Sequence, residues 1–256
     1  MANMIKTPAS DNIMPQRVNK NVHFFNKSQT QKSNKKFSQI YQKLYSNYGA
    51  QYWWPAKTKI EMIVGAVLTQ NTAWSNVELA IKNLKQVQGL SIKTLKKIKL
   101  GDLANLIRPS GYYNLKAIRI KNFIKFLMVK YSGSLKLMCK QPTKNLREQL
   151  LSVNGLGPET VDCILLYAGR KRVFVVDAYT RRIFDCQGLI NRTDRYEEIQ
   201  KQIMFNLPRS IKIYNQFHAL IVALGKNICR KRNPLCPQCL LLAGRKKKKT
   251  YADKKI

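Results

Sequence analysis

The sequence predicts a nearly all-α fold, and three observations carry that expectation. Apolar residues recur at helical spacing from Phe37 to residue 226, glycines and prolines interrupt the pattern where helix–helix loops would fall, and only Val173-Phe174-Val175-Val176 reads as extended. That tetrapeptide is too short and too isolated to found a sheet. It is better read as a buried connector delivering Asp177.

Residues 1–35 are polar, rich in Asn, Gln, Ser and Lys, with Asp11 as their single acidic residue. This composition predicts a disordered basic arm, and an organellar transit peptide fits it as well. Phe37, Ile40, Tyr41, Leu44, Tyr45 and Tyr48 then line one face of a first helix. A second comes after Pro55 and carries Ile60, Ile63, Val64, Val67 and Leu68. Further helical patterns cover 74–87, 91–98, 101–107, 114–131, 143–152, 159–168, 178–186, 194–206 and 212–226, with Gly89, Gly101, Pro109 and Gly111 between some of them. Beyond Arg245, Lys246 to Lys249 begin a basic tail expected to be solvated. There is no internal repeat.

Charge narrows the function. Lys and Arg number 47 against 13 Asp and Glu, a formal net charge of +34. A chain this basic condenses onto polyanions in a salt-dependent way, although compositional drift toward lysine would account for some of the excess. The cations are spread along the whole chain, so charge alone does not separate nucleic acid from an anionic membrane. No apolar run approaches the roughly 20 residues that span a bilayer, and the start lacks a secretory apolar core. The expectation is a soluble intracellular protein of the cytoplasm or nucleoid. Six cysteines in such a protein do not suggest a disulfide framework. Cys139, Cys163 and Cys186 lie singly among apolar neighbours and are read as core fillers; Cys229, Cys236 and Cys239 are clustered.

The most informative segment runs from Leu151 to Val161. Leu146, Leu150, Leu151 and Val153 on one side, and Val161, Ile164 and Leu165 on the other, predict an antiparallel helical pair around Asn154-Gly155-Leu156-Gly157-Pro158-Glu159-Thr160. Paired glycines let backbone N–H groups approach a phosphate, and the second helix adds its positive N-terminal end. Pro158 suits the first turn of that helix. Gly-x-Gly between helices is also an ordinary turn, so the hairpin takes its meaning from a carboxylate further along the chain. Sixteen residues past Val161 stands Asp177, ahead of Ala178-Tyr179-Thr180-Arg181-Arg182. As an N-cap it would be held ionised, which is also what charge stabilisation beside a sugar would require.

Four segments together are highly specific: Val67 to Thr72, Asn154 to Thr160, Val175 to Arg182, and Cys229 to Cys239. Through them the chain resembles the endonuclease III, helix-hairpin-helix-GPD DNA glycosylase superfamily, nearest to the endonuclease III-like 3-methyladenine DNA glycosylase branch. The likeness spans roughly residues 37 to 242. It implies two helical lobes. Residues 58–170 would form a helical barrel ending in the helix-hairpin-helix, and 36–57 would join 171–242 in a second lobe, with 243–256 as the tail and a catalytic cleft between the lobes. Asp177 is the implied catalytic aspartate. Gly155, Leu156, Gly157, Glu159 and Thr160 are the implied DNA-binding hairpin, and Gln70 fills the gap left by a flipped base. Trp53, Trp54, Pro55 and Trp74 match the aromatic base pocket of the 3-methyladenine branch, where stacking and cation–π attraction suit an alkylated purine. As ordinary core residues they would need no such role.

Two departures from the family pattern stand out. Bifunctional members carry a Schiff-base lysine two residues past the second hairpin glycine, where this chain has Glu159. The resemblance is then to monofunctional enzymes that use water, and apurinic-site lyase activity by that route is not expected. At the cysteines, Cys229, six residues, Cys236, two residues and Cys239 match three ligands of the family's 4Fe–4S cluster, but the fourth position is Arg245. Cluster irons take four thiolates. Three readings stand: a cluster with an open or non-cysteine-ligated iron, a metal-free remnant, or a zinc site borrowing His218 or another donor. His218 also reads as an ordinary buried helix histidine.

The expected function is a base-excision repair glycosylase acting on duplex DNA that carries a damaged base, as a monomer without membrane partners. Alkylated purine is the favoured lesion. An oxidised-pyrimidine glycosylase with lyase activity, and a non-catalytic helix-hairpin-helix DNA-binding protein, are the alternatives.

Overall fold

The computed structural model describes residues 35–51, 54, 56–87, 89–191 and 193–242. They build twelve α-helices and no strand among the described residues: α1 Lys35–Tyr48, α2 Lys59–Leu68, α3 Trp74–Val87, α4 Ile92–Lys97, α5 Leu100–Leu106, α6 Tyr113–Tyr131, α7 Leu135–Lys140, α8 Thr143–Leu151, α9 Pro158–Cys163, α10 Ala178–Cys186, α11 Tyr196–Asn206 and α12 Ile211–Asn227. The fold class expected from periodicity is the one observed. None of these helices is long and apolar enough to cross a membrane.

The local causes are ordinary ones. Thr58, Ser91, Ser134 and Ser210 cap α2, α4, α7 and α12 with side-chain oxygens. Helix α2 shows no polar face: Ile63, Val64, Val67 and Leu68 are all at most 1% exposed. Each such side chain contributes roughly 2 kcal/mol through burial, so α2 is a central strut. The chain leaves its far end through Gln70 and Asn71, the latter left-handed at φ 51°.

Two hydrophobic clusters organise the packing. One gathers α2 to α9, from Ile60 to Leu165, with Ala168 and Val173. The other joins α1 to α10, α11 and α12 around Phe37, Phe174, Phe184, Tyr214 and Phe217. Trp54 and Met62 pack against both. Val173 to Val176 is an extended segment at most 5% exposed, running between the clusters to Asp177.

Three details differ from the sequence expectations. Helix α7 was not anticipated, because six residues are too few to show periodicity. The helix expected over 159–168 is α-helical only to Cys163 and closes as a π turn over Ile164–Ala168. Cys186 is no core filler: it ends α10 with its side chain exposed, whereas Cys139 and Cys163 are half-buried. The basic arm up to residue 34, Trp53, Pro55, Arg245 and the tail lie outside the described residues.

Candidate active site

The hairpin between α8 and α9 is anchored from within. Val153 and Leu156 are buried, and the loop's backbone stays at the surface between them. The two glycines have different reasons to be there. Gly155 is left-handed at φ 92°, and a Cβ on it would stand 2.2 Å from Cγ of Arg119. Gly157 has φ −84°, with nothing within 4 Å of a built Cβ. Among the described residues no acceptor takes the amides of either glycine. The loop thus presents open backbone donors, the property a phosphate clamp needs.

The side chains expected on this loop are not equally available. Leu156 faces the core, and Thr160, 6% exposed, accepts a 2.8 Å hydrogen bond from Nε2 of Gln70. Gln70 also donates to the carbonyl of Gly155 at 3.3 Å and accepts from Arg119 Nη1. Gln70 therefore sits locked onto the hairpin, and Thr160 is its support rather than a surface contact. Beneath this corner Lys116 is buried, donating to the carbonyls of Leu68 (2.8 Å) and Ser110 (2.6 Å) and to Thr72 Oγ1 (2.9 Å). Burial lowers its pKa to about 8, helped by the charge of Arg119.

Asp177 caps α10: its Oδ1 accepts from the Thr180 amide at 2.7 Å and from Thr180 Oγ1 at 2.8 Å. Its other oxygen faces His218 of α12, with Oδ2 3.4 Å from Nε2. That approach is within ion-pair range, although the alignment falls short of a full hydrogen bond. His218 Nδ1 is 2.6 Å from the Tyr167 hydroxyl. Burial pushes the Asp177 carboxyl up, but His218 and the Thr180 donors outweigh it and leave the pKa below the usual value. The carboxylate is thus ionised at neutral pH, with its side chain still 12% exposed.

Glu159, at the mouth of the hairpin, feels this centre. The surrounding protein and the negative charge of Asp177 push its pKa up from 4.5 to about 7, opposed by His218 and Arg181. The carboxyl is solvent-exposed yet stands among the charges of Asp177, His218 and Arg181.

From Tyr167 the contacts continue into aromatics. The Tyr167 and Trp54 rings lie 4.9 Å apart, and Trp54 meets Trp74 edge-on at 5.5 Å. Gly65 lets Trp54 lie against α2, since a Cβ there would come within 3.1 Å of the indole. Trp54 and Trp74 wall a cavity of about 340 Å³ that also meets Glu61 and Glu78. Asp177 does not line it; the link runs through Tyr167 and His218.

The structure thus brings Asp177, Glu159, Gln70 and the hairpin into one region, with Trp54 and Trp74 joined to it by a chain of contacts. His218, Tyr167 and Arg119 were missed as site residues. They lie 41, 10 and 58 residues from Asp177, and no local pattern marks them. Both ring nitrogens of His218 face Tyr167 and Asp177 rather than the cysteines. Cys229, Cys236 and Cys239 are half-buried in the loop after α12.

A hairpin with open backbone amides, followed by an ionised aspartate on an all-helical, two-core frame, is the arrangement expected of a DNA-repair glycosylase. The family profile described as "HhH-GPD superfamily base excision DNA repair protein" matches residues 64–209, and the chain belongs to that family. A Methanocaldococcus jannaschii protein, provisionally described as a DNA repair glycosylase, is 49% identical over 202 residues, covering 78% of this chain and 91% of the relative. Endonuclease III of Thermotoga maritima is 31% identical over 180 residues, covering 70% and 79%. Among solved structures, the H. pylori 3-methyladenine DNA glycosylase bound to 1,N6-ethenoadenine superposes with a TM-score of 0.65 at 29% identity, covering 74% of this chain and 97% of that one. A non-covalent endonuclease III–DNA complex shares the fold, with a TM-score of 0.71 at 21% identity over 82% and 93%.

Proposed function

We propose that the protein removes an alkylated purine from duplex DNA by hydrolysis and leaves the strand intact. The observation that carries this reading is the pairing of an ionised, half-buried Asp177 with Glu159 at the hairpin position. A carboxyl forms no imine with an abasic sugar. The one buried lysine of the neighbourhood, Lys116, has three acceptors on its ammonium and is not a free amine.

The chemistry follows from the geometry. The hairpin amides hold a backbone phosphate while the target nucleotide leaves the stack. The glycosidic C–N bond breaks and its electron pair departs with the base. Positive charge gathers on the sugar, where the Asp177 carboxylate stabilises it. Water then attacks the anomeric carbon and loses its proton toward Asp177 or solvent. A cationic alkylated base is already a good leaving group, so an aspartate without a lysine suffices. Indole faces at Trp54 and Trp74 suit such a base through stacking and cation–π attraction.

The test is incubation with methylated duplex DNA and chromatography of the freed bases, with borohydride added in parallel. Release of alkylated purine without a trapped covalent adduct supports the reading. A trapped adduct, or release of oxidised pyrimidines alone, overturns it.

A further inference from the structure

The geometry points to Cys186 as the fourth thiolate of a metal centre shared with Cys229, Cys236 and Cys239. The three loop cysteines alone do not fit a 4Fe–4S cluster or a structural zinc, because both take four protein ligands and no cysteine follows Cys239. The missing thiol arrives from another direction, at the end of α10.

Two independent contacts bring it there. Arg182, one helical turn before Cys186 and on the same face, donates Nε to the Cys229 carbonyl at 2.7 Å and Nη2 to the Gly225 carbonyl at 3.3 Å. This pins α10 across the start of the cysteine loop. The next turn then brings Cys186 to the wall of the cavity that Cys229 also lines. All four cysteines line one small cavity, whose remaining walls are five aliphatic side chains and Gln187. Four sulfurs in an otherwise apolar, cation-flanked hollow are a donor set for a thiophilic metal and for little else. As they stand, no three donors among the described residues converge tightly enough to hold a single ion.

The consequence reaches the catalytic aspartate. Helix α10 begins immediately after Asp177 and ends at Cys186, so a metal centre at its C-terminal end would fix the helix that Asp177 caps.

The test uses the full chain, purified anaerobically and loaded either with ferrous iron and sulfide or with zinc. Bound iron, sulfide and zinc are measured per chain, alongside visible absorption. Cys186→Ser should lose metal affinity by roughly tenfold or more, as should Cys236→Ser, while Cys139→Ser keeps the wild-type content. Alkylation of the wild type tests the same point without a mutation. The exposed Cys186 should be protected when the protein is loaded and become reactive after chelation. Equal alkylation of Cys186 in loaded and stripped protein, full metal content in Cys186→Ser, a Cys186–Cys229 disulfide in the anaerobic protein, or uptake of neither metal would overturn the inference.

Discussion

His218 Nε2 lies 3.4 Å from Asp177 Oδ2 and its Nδ1 lies 2.6 Å from the Tyr167 hydroxyl, so one imidazole spans the interval between the aspartate and the aromatic cluster. A ring nitrogen facing a carboxylate carries its proton there. The other nitrogen then accepts from the Tyr167 hydroxyl. Replacing His218 by Phe keeps a planar ring on α12 and removes both polar contacts. Base release by His218→Phe should slow by roughly tenfold to a hundredfold, with the loss in turnover rather than DNA affinity. Single-turnover rates and binding isotherms separate the two.

Tyr167→Phe probes the same chain more gently. The ring keeps its packing on Trp54 and loses only the hydroxyl that fixes the His218 ring. Single-turnover rates across pH should show a reduced plateau and an acid limb displaced from that of the wild type. A merely structural tyrosine would leave the profile's shape unchanged.

Glu159 sets a pH dependence with a definite sign. Its pKa is raised from 4.5 to about 7, so the folded chain holds a proton that the unfolded chain has lost across that interval. Any stability it contributes is complete below 4.5 and is lost as pH rises through about 7. DNA affinity should fall across the same window, because the ionised carboxylate repels phosphate at the hairpin. Glu159→Gln should bind more tightly at pH 8 and show a flatter pH profile by fluorescence anisotropy. Glu159→Lys should gain a borohydride-trappable adduct with abasic DNA.

The hairpin's integrity rests on a buried ion pair behind it. Arg147 Nε and Nη2 reach the two oxygens of Asp162 at 2.9 and 3.1 Å, and Gln200 adds a third bond at 2.7 Å. The pair favours the partly exposed guanidinium, whose pKa rises. Asp162, fully buried, loses more to desolvation than its partners return, and its pKa rises too. Breaking such a pair strands the carboxylate. Arg147→Met should cost about 3–5 kcal/mol in urea unfolding.

Much of this was legible in the sequence, for physical reasons. Long amphipathic helices such as α1 and α12 announce themselves by period, and the all-helical class results. The hairpin and Asp177 were legible because backbone geometry there demands particular residues: a left-handed glycine at 155, a proline at the helix start, a capping carboxylate at 177. What could not be read is pairing across the fold. His218 meets Asp177 from 41 residues away, Arg119 meets Gln70 from 49, and Cys186 shares a cavity with Cys229 from 43. Each sits singly in a helix whose pattern says only that it is buried or exposed. Thr160 is the reverse case: its place in the motif suggests a DNA contact, while its buried hydroxyl accepts from Gln70.

The most direct measurement is base release from alkylated duplex DNA by the wild type and by Asp177→Asn, read beside DNA binding of both. The amide keeps an oxygen for capping α10 but removes the negative charge. The expected result is loss of release by several orders of magnitude with binding retained. Undiminished release by Asp177→Asn would mean that the residue only caps a helix, and the proposed chemistry would have to be abandoned.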